Sequence, residues 1–102
     1  MPRAGLVLIH GIWIQGEAAL PAVFRRNWES WGVYFPESTR TLWDDARIRA
    51  LLPDLEAQAP GLGAAYGAAG TPAVKADIAR VAIVFAHGGL YVDMDMECLR
   101  DF

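Results

Sequence analysis

Strand-like and helix-like patterns alternate along this chain, which predicts an α/β fold with a mostly parallel sheet and flanking helices. Three observations carry that prediction: a short apolar run near the start, helix-period apolar stripes in the first and last thirds, and a final segment in which apolar and polar residues alternate one by one. The chain has 102 residues, enough for one small domain, so residues 1–102 are expected to form a single unit. With 54% hydrophobic residues, including four Trp, four Phe and three Tyr, it can bury enough apolar area to offset the entropy of ordering a short chain.

Leu6 to Ile9 reads as a buried strand that leaves the sheet at His10 and Gly11, with Trp13 directly on the exit. From Leu20 to Trp31, the residues Leu20, Phe24, Trp28 and Trp31 recur at helical spacing, and Gly32 is the expected stop. Thr39 to Trp43 suits a short strand, and Asp44 and Asp45 stand where a cap is needed before a helix over Ala46 to Leu52. Pro53 to Gly70 is punctuated by Pro60, Gly61, Gly63, Gly67 and Gly70, so a surface connection with short helical pieces is expected. Thr71 and Pro72 make an N-cap and first-turn pair. Val74, Ile78, Val81 and Phe85 then mark a helix that stops at Gly88 and Gly89. Leu90, Val92, Met94 and Met96 alternate with Tyr91, Asp93, Asp95 and Glu97, as in a strand that sends Asp93 and Asp95 to the same face.

The formal charge of -3 argues against a nucleic-acid surface, which needs clustered Lys and Arg. One cysteine, Cys98, can form neither an internal disulfide nor a thiolate metal cluster, and a reducing, cytoplasmic setting is the simplest expectation. The opening apolar run of about five residues is too short for a signal peptide or a membrane span, so no membrane segment is expected.

The chemistry concentrates at Asp93 and Asp95. Two carboxylates two residues apart on a strand lie about 7 Å apart at the backbone, close enough to share one hydrated divalent cation. Mn2+ or Mg2+ with oxygen ligands would relieve their repulsion and bridge to a diphosphate, which is how an acidic protein can hold an acidic ligand. An isolated Asp-x-Asp is also compatible with a solvated strand end. What singles this one out is its setting, a strand end after a double-glycine turn, where ligands gather in open α/β sheets.

The segment KADIARVAIVFAHGGLYVDMDMECLRDF, Lys75 to Phe102, resembles the core signature of the DXD-containing glycosyltransferases related to fungal initiating mannosyltransferases, bacterial capsular polysaccharide transferases and clostridial glucosylating toxins. LVLIHGIWIQG, Leu6 to Gly16, is similar to their first strand, and STRTLWDD, Ser38 to Asp45, to their second strand and its Trp-Asp exit. Val81 and Gly11 depart from the usual pattern, and only seven residues follow Asp95, where relatives generally continue into an acceptor pocket and a lid.

The resemblance implies a GT-A type, Rossmann-like sheet truncated after the DXD strand, forming a nucleotide-sugar-binding half-domain. It implies transfer of a hexose from a UDP- or GDP-linked sugar to a saccharide or protein acceptor, metal-dependent and retaining, in polysaccharide biosynthesis. By the same resemblance Trp13 would stack on the base, and Asp77 and Arg80 would reach the nucleoside and the sugar or diphosphate. Tyr91 would line the sugar pocket, Asp93 would contact sugar or ribose hydroxyls and a metal-bound water, and Asp95 would bind the metal directly. Read alone, Trp13 is equally an ordinary core aromatic, and Asp77 with Arg80 a surface ion pair.

Two other readings stay open. One is a noncatalytic or degenerate module that binds nucleotide or pairs with a partner, a homodimer included, through an exposed sheet edge. The other is a phosphatase of the haloacid dehalogenase type, which also uses Asp-x-Asp but places it near the start and needs a later Lys and acidic pair.

Overall fold

The computed structural model describes residues 7–99. Strand β1 (Leu8–Ile12) leads through a 3-10 turn (Glu17–Ala19) to helix α1 (Ala22–Tyr34) and strand β2 (Thr39–Trp43). Helix α2 (Asp45–Leu51), a 3-10 segment (Leu52–Leu55), helix α3 (Leu62–Ala68) and helix α4 (Pro72–His87) follow, and strand β3 (Leu90–Tyr91) closes the sheet. All pairings are parallel in the order β2-β1-β3, with Leu8 opposite Thr39 through Ile12 opposite Trp43, and Ile9 and His10 opposite Leu90 and Tyr91.

Because side chains alternate across a strand, β1 feeds two cores. Ile9 joins Leu20, Trp28, Trp31, Phe35, Val92, Met94 and Cys98 under α1. Ile12 joins Trp43, Ile48, Leu52, Leu55, Tyr66, Ala79, Ala82 and Ile83 under α2, α3 and α4. The sheet is therefore covered on both faces, as parallel sheets require.

His10 is only 3% exposed and is satisfied on both ring nitrogens. Trp43 Nε1–H donates to His10 Nδ1 at 3.1 Å, and His10 Nε2 lies 3.0 Å from the Gly88 carbonyl, which it reaches as a donor. An indole cannot accept and a carbonyl cannot donate, so these partners select the neutral tautomer with the proton on Nε2. One side chain thus joins all three strands' territories: β1, β2 and the turn before β3. Burial holds the His10 pKa below the ordinary histidine range; the Gly88 hydrogen bond opposes this, and the neighbouring His87 adds to it.

Several expectations hold, among them Thr39–Trp43 as a strand, Asp44 as the cap that accepts from Arg47 N, and Thr71 as the cap that accepts from Val74 N. Others need correction. The first strand does not leave the sheet at Gly11 but runs through His10 and Gly11 to Ile12, while Leu6 lies outside the described residues. A Cβ on Gly11 would overlap the end of Met94 and the Trp28 ring, so this glycine permits close approach. Gly32 does not end α1, which continues to Tyr34; a side chain there would meet the Arg40 guanidinium, itself donating to the Trp28 carbonyl. Residues 53–70 are more than a surface connection, since Tyr66 of α3 is fully buried and its hydroxyl donates to Asp45 Oδ1 at 2.8 Å.

The stripe expected on α4 is not its buried face. Val81 and Phe85 are each 68% exposed, whereas Ala79, Ala82 and Ile83 are buried, because two alanines let the helix lie close against the sheet. The last segment also differs: β3 ends at Tyr91, Val92 N adds one more bond to the His10 carbonyl, and the chain then turns, with Met96 N donating to Asp93 O at 3.0 Å.

Two measurements check this architecture. Gly11→Ala should cost about 1–3 kcal/mol in urea unfolding, from overpacking against Met94 and Trp28. The unfolded chain takes up a proton at His10 before the folded chain does, so stability should fall as pH drops below about 6.5. A His10→Gln variant should show a flatter pH dependence in the same titration.

Candidate functional site

With β2 and β3 on opposite sides of β1, the chain reverses its winding between β1 and β3, and the carboxyl ends of those two strands form the crevice where open α/β sheets take ligands. A shallow cleft of about 270 Å³ lies there, lined by Ile12, Trp13, Phe24, Tyr91, Asp93, Met94 and Asp95. Larger hollows of about 480 and 390 Å³ exist elsewhere, one beside Arg49 and Tyr66 and one between Leu62 and Phe85. Neither carries the paired carboxylates or lies at the strand ends, so the smaller cleft is the better site.

Trp13 follows β1 immediately; its N–H donates to the Trp43 carbonyl and its own carbonyl accepts from Gly16 N, which fixes the backbone at the cleft wall. The indole packs edge-on against Phe24, centroids 5.4 Å apart at 61°. Its Nε1–H is buried with no hydrogen-bond partner among the described residues. An unpaired buried donor costs about 1–3 kcal/mol, so the fold carries this one at the expense of stability.

Asp93 and Asp95 occupy the tight turn after β3, both exposed, on either side of the buried Met94. The correction to the sequence reading is that a turn, not a strand, presents them. Among the described residues no Lys or Arg pairs with either carboxylate. Nor does any group of three or more His, Cys, Asp or Glu gather there. Two uncompensated carboxylates open to solvent fit a hard divalent cation of the kind that keeps waters and phosphate oxygens as its remaining ligands; they do not fit a closed, all-protein metal cage.

Tyr91 is half-buried in the same cleft. Its phenol ionises well above the ordinary range, first because of burial, then because of the charge of Asp93 and the hydrogen bond to it. Arg80 opposes that shift and Asp77 adds to it, which places both near the tyrosine. They do not line the cleft: Arg80 and Asp77 pair with each other at 3.2 Å on α4, and Arg80 borders a neighbouring hollow that shares Tyr91. The structure therefore brings Trp13, Tyr91, Asp93 and Asp95 together, with Asp77 and Arg80 one step away. Phe24 and Met94 complete the lining without having been singled out in the sequence as site residues; the aromatic periodicity of α1 and the position of Met94 between two acids were the available signals.

The structure is thus a parallel α/β sheet with an acidic turn at the switch point, the place where ligands gather in open α/β sheets. Comparison with known proteins makes this specific: residues 21–102 match the glycosyltransferase sugar-binding region containing a DXD motif, and the chain belongs to that family. It is 38% identical over 95 residues to an uncharacterized glycosyltransferase of Acanthamoeba polyphaga mimivirus, covering 92% of this chain and 37% of the relative. It is 35% identical over 81 residues to the initiation-specific alpha-1,6-mannosyltransferase of Saccharomyces cerevisiae, covering 78% of this chain and 17% of that protein. The protein of the same name from Candida albicans is 29% identical over 84 residues, covering 82% and 22%. The chain thus spans well under half the length of these relatives. No solved structure matches it. Among the described residues no helix is long and apolar enough to cross a membrane.

In an Asp93→Asn variant, the Tyr91 phenol should ionise at lower pH than in the parent while staying above the ordinary tyrosine range, because burial persists. An NMR titration of the tyrosine ring carbon bearing the hydroxyl reads this directly; no downward movement would show that Asp93 does not act on Tyr91.

Proposed function

We propose that this chain forms the nucleotide-sugar half of a metal-dependent glycosyltransferase with a GT-A type sheet, acting on a UDP- or GDP-linked hexose. The observation that carries the proposal is the exposed pair Asp93 and Asp95 on the turn after β3, which has no Lys or Arg partner among the described residues and lines the same cleft as Trp13. Asp95 would hold Mn2+ or Mg2+, with Asp93 contributing to that site and to the sugar or ribose hydroxyls. When bound, the cation would neutralise charge on the departing nucleoside diphosphate.

The remaining roles follow from position. Trp13, which lines the cleft, would offer its ring to the nucleoside base. Tyr91, kept neutral by burial and by Asp93, presents its ring to the sugar. Arg80 shares the neighbouring hollow with Tyr91, and reaching a phosphate would require it to give up Asp77, an exposed pair worth little. A retaining transfer needs the acceptor hydroxyl held on the same sugar face as the leaving phosphate, and such positioning supplies much of the rate. Mannose is the first sugar to test, because two relatives are named for mannosyl transfer.

A second reading is a noncatalytic binding module. Among the described residues the polar side chains lining the cleft are Asp93, Asp95 and Tyr91, which suits a donor and offers an acceptor few partners. Measuring donor hydrolysis separates the two readings, since a module binds without turnover.

Calorimetry of UDP- and GDP-hexoses with and without Mn2+ should show binding that depends on the metal. Asp95→Asn should weaken the metal-dependent part by more than the roughly 10–100-fold typical of losing a group that merely supports a ligand. Absence of metal-dependent heat with either nucleotide sugar would overturn the proposal.

A further inference from the structure

The acidic turn carries no regular secondary structure, so something else must aim its carboxylates. Helix α1 supplies it from three side chains, Asn27 and, one helical turn on, Ser30 and Trp31. Asn27 Nδ2–H donates to the Met94 carbonyl at 2.9 Å, and Trp31 Nε1–H donates to the Met96 carbonyl at 3.1 Å. Ser30 Oγ accepts from Cys98 N at 2.8 Å while donating to the Asn27 carbonyl. The Met94 side chain, meanwhile, drops into the notch left by Gly11, against Trp28. Met94 is therefore pinned at its backbone and at its side chain, and its two chain neighbours are Asp93 and Asp95.

We propose that Asn27, with Ser30 and Trp31, is a positioning clamp that fixes the orientation of the Asp93 and Asp95 carboxylates for a divalent cation. This rests on the metal-dependent reading of the site given above. None of the three side chains lines the cleft, so they act through the turn and not on the ligand. Their spacing suits a clamp. At i, i+3 and i+4, residues 27, 30 and 31 share a face of α1, and the carbonyls of residues 94 and 96 and the amide of residue 98 run past it. Removing a donor frees the Met94 or Met96 carbonyl to rotate, and the carboxylates on the turn are then less firmly held at the cleft. Loss of such a supporting hydrogen bond typically costs metal affinity roughly 10-fold or more.

The test is a comparison of nucleotide affinity with and without metal in the full chain. UDP and GDP are titrated calorimetrically, each alone and with saturating Mn2+, into the parent, Asn27→Ala, Trp31→Phe and Ile48→Val. Trp31→Phe keeps an aromatic ring in the core while removing the indole N–H and part of the ring volume, and Ile48→Val, a destabilised variant in the opposite core, controls for that loss of packing. The clamp predicts that Asn27→Ala and Trp31→Phe lose about 10-fold of the metal-dependent enhancement while binding metal-free nucleotide as the parent does. Ile48→Val should keep the enhancement.

Unchanged enhancement in both clamp variants would overturn the proposal, as would parallel loss of metal-dependent and metal-free binding matched by Ile48→Val, the pattern of mere destabilisation. If Asn27→Ala fails to fold, Trp31→Phe alone decides. A parent chain with no metal enhancement for either nucleotide would instead remove the metal reading itself, and the clamp would fall with it.

Discussion

The pair of hydrogen bonds on His10 is the constraint from which the rest of the architecture follows. A buried imidazole in the middle of a three-stranded sheet is tolerated because both nitrogens are satisfied, one by the Trp43 indole and one by the Gly88 carbonyl. Those partners lie in β2 and in the turn before β3, so one residue of the central strand sets the position of both neighbours. Gly89 adds a steric condition: at a φ of 89° it passes so close to Leu8 that any side chain would strike the Leu8 carbonyl. The imidazole supplies the attraction and the glycine the clearance, and together they fix where β3 delivers Tyr91.

Beyond Tyr91 the sheet no longer guides the chain, and the core under α1 takes over. Met94 and Cys98 are buried with Trp28, Trp31 and Phe35, while Asp93 and Asp95 remain in solvent. Burial of alternate residues thus persists for a few positions after strand geometry has ended. One short stretch of chain thus does two things: apolar side chains anchor the turn, and the acids between them stay exposed at the cleft. The cleft they border gets its opposite wall from Trp13 and Phe24, at the exit of β1 and the start of α1.

Much of this was legible in the residues, and the misreadings share a cause. Strand β2 and the caps Asp44 and Thr71 are local features, decided by propensity and by hydrogen bonds within a few residues, and they stand where the chain predicts them. The DXD acids, Tyr91 and Trp13 were identifiable by motif and do meet in space. What escaped was long-range. Bulky Val81 and Phe85 outweighed Ala79 and Ala82 in a periodicity argument, yet close packing on a sheet favours the small residues. Gly11 and Gly32 looked like breaks because their neighbours across the fold, Met94 and Arg40, are invisible in a linear reading. Asn27 sits among Phe24, Trp28 and Trp31 on the buried side of its helix, and a polar residue in that position was the one local sign that α1 holds something beyond its own core.

The parallel pairing of β1 with β3 has a consequence for how the cleft comes into being. His10 and Gly88 are 78 residues apart, so their contact closes a long loop whose entropic cost is met only together with the packing of the elements between them. The crevice is consequently a property of the completed fold and has no counterpart in a partly ordered chain. A molecule that binds there and not to the unfolded chain therefore stabilises the whole fold by mass action, to an extent set by its concentration relative to its Kd.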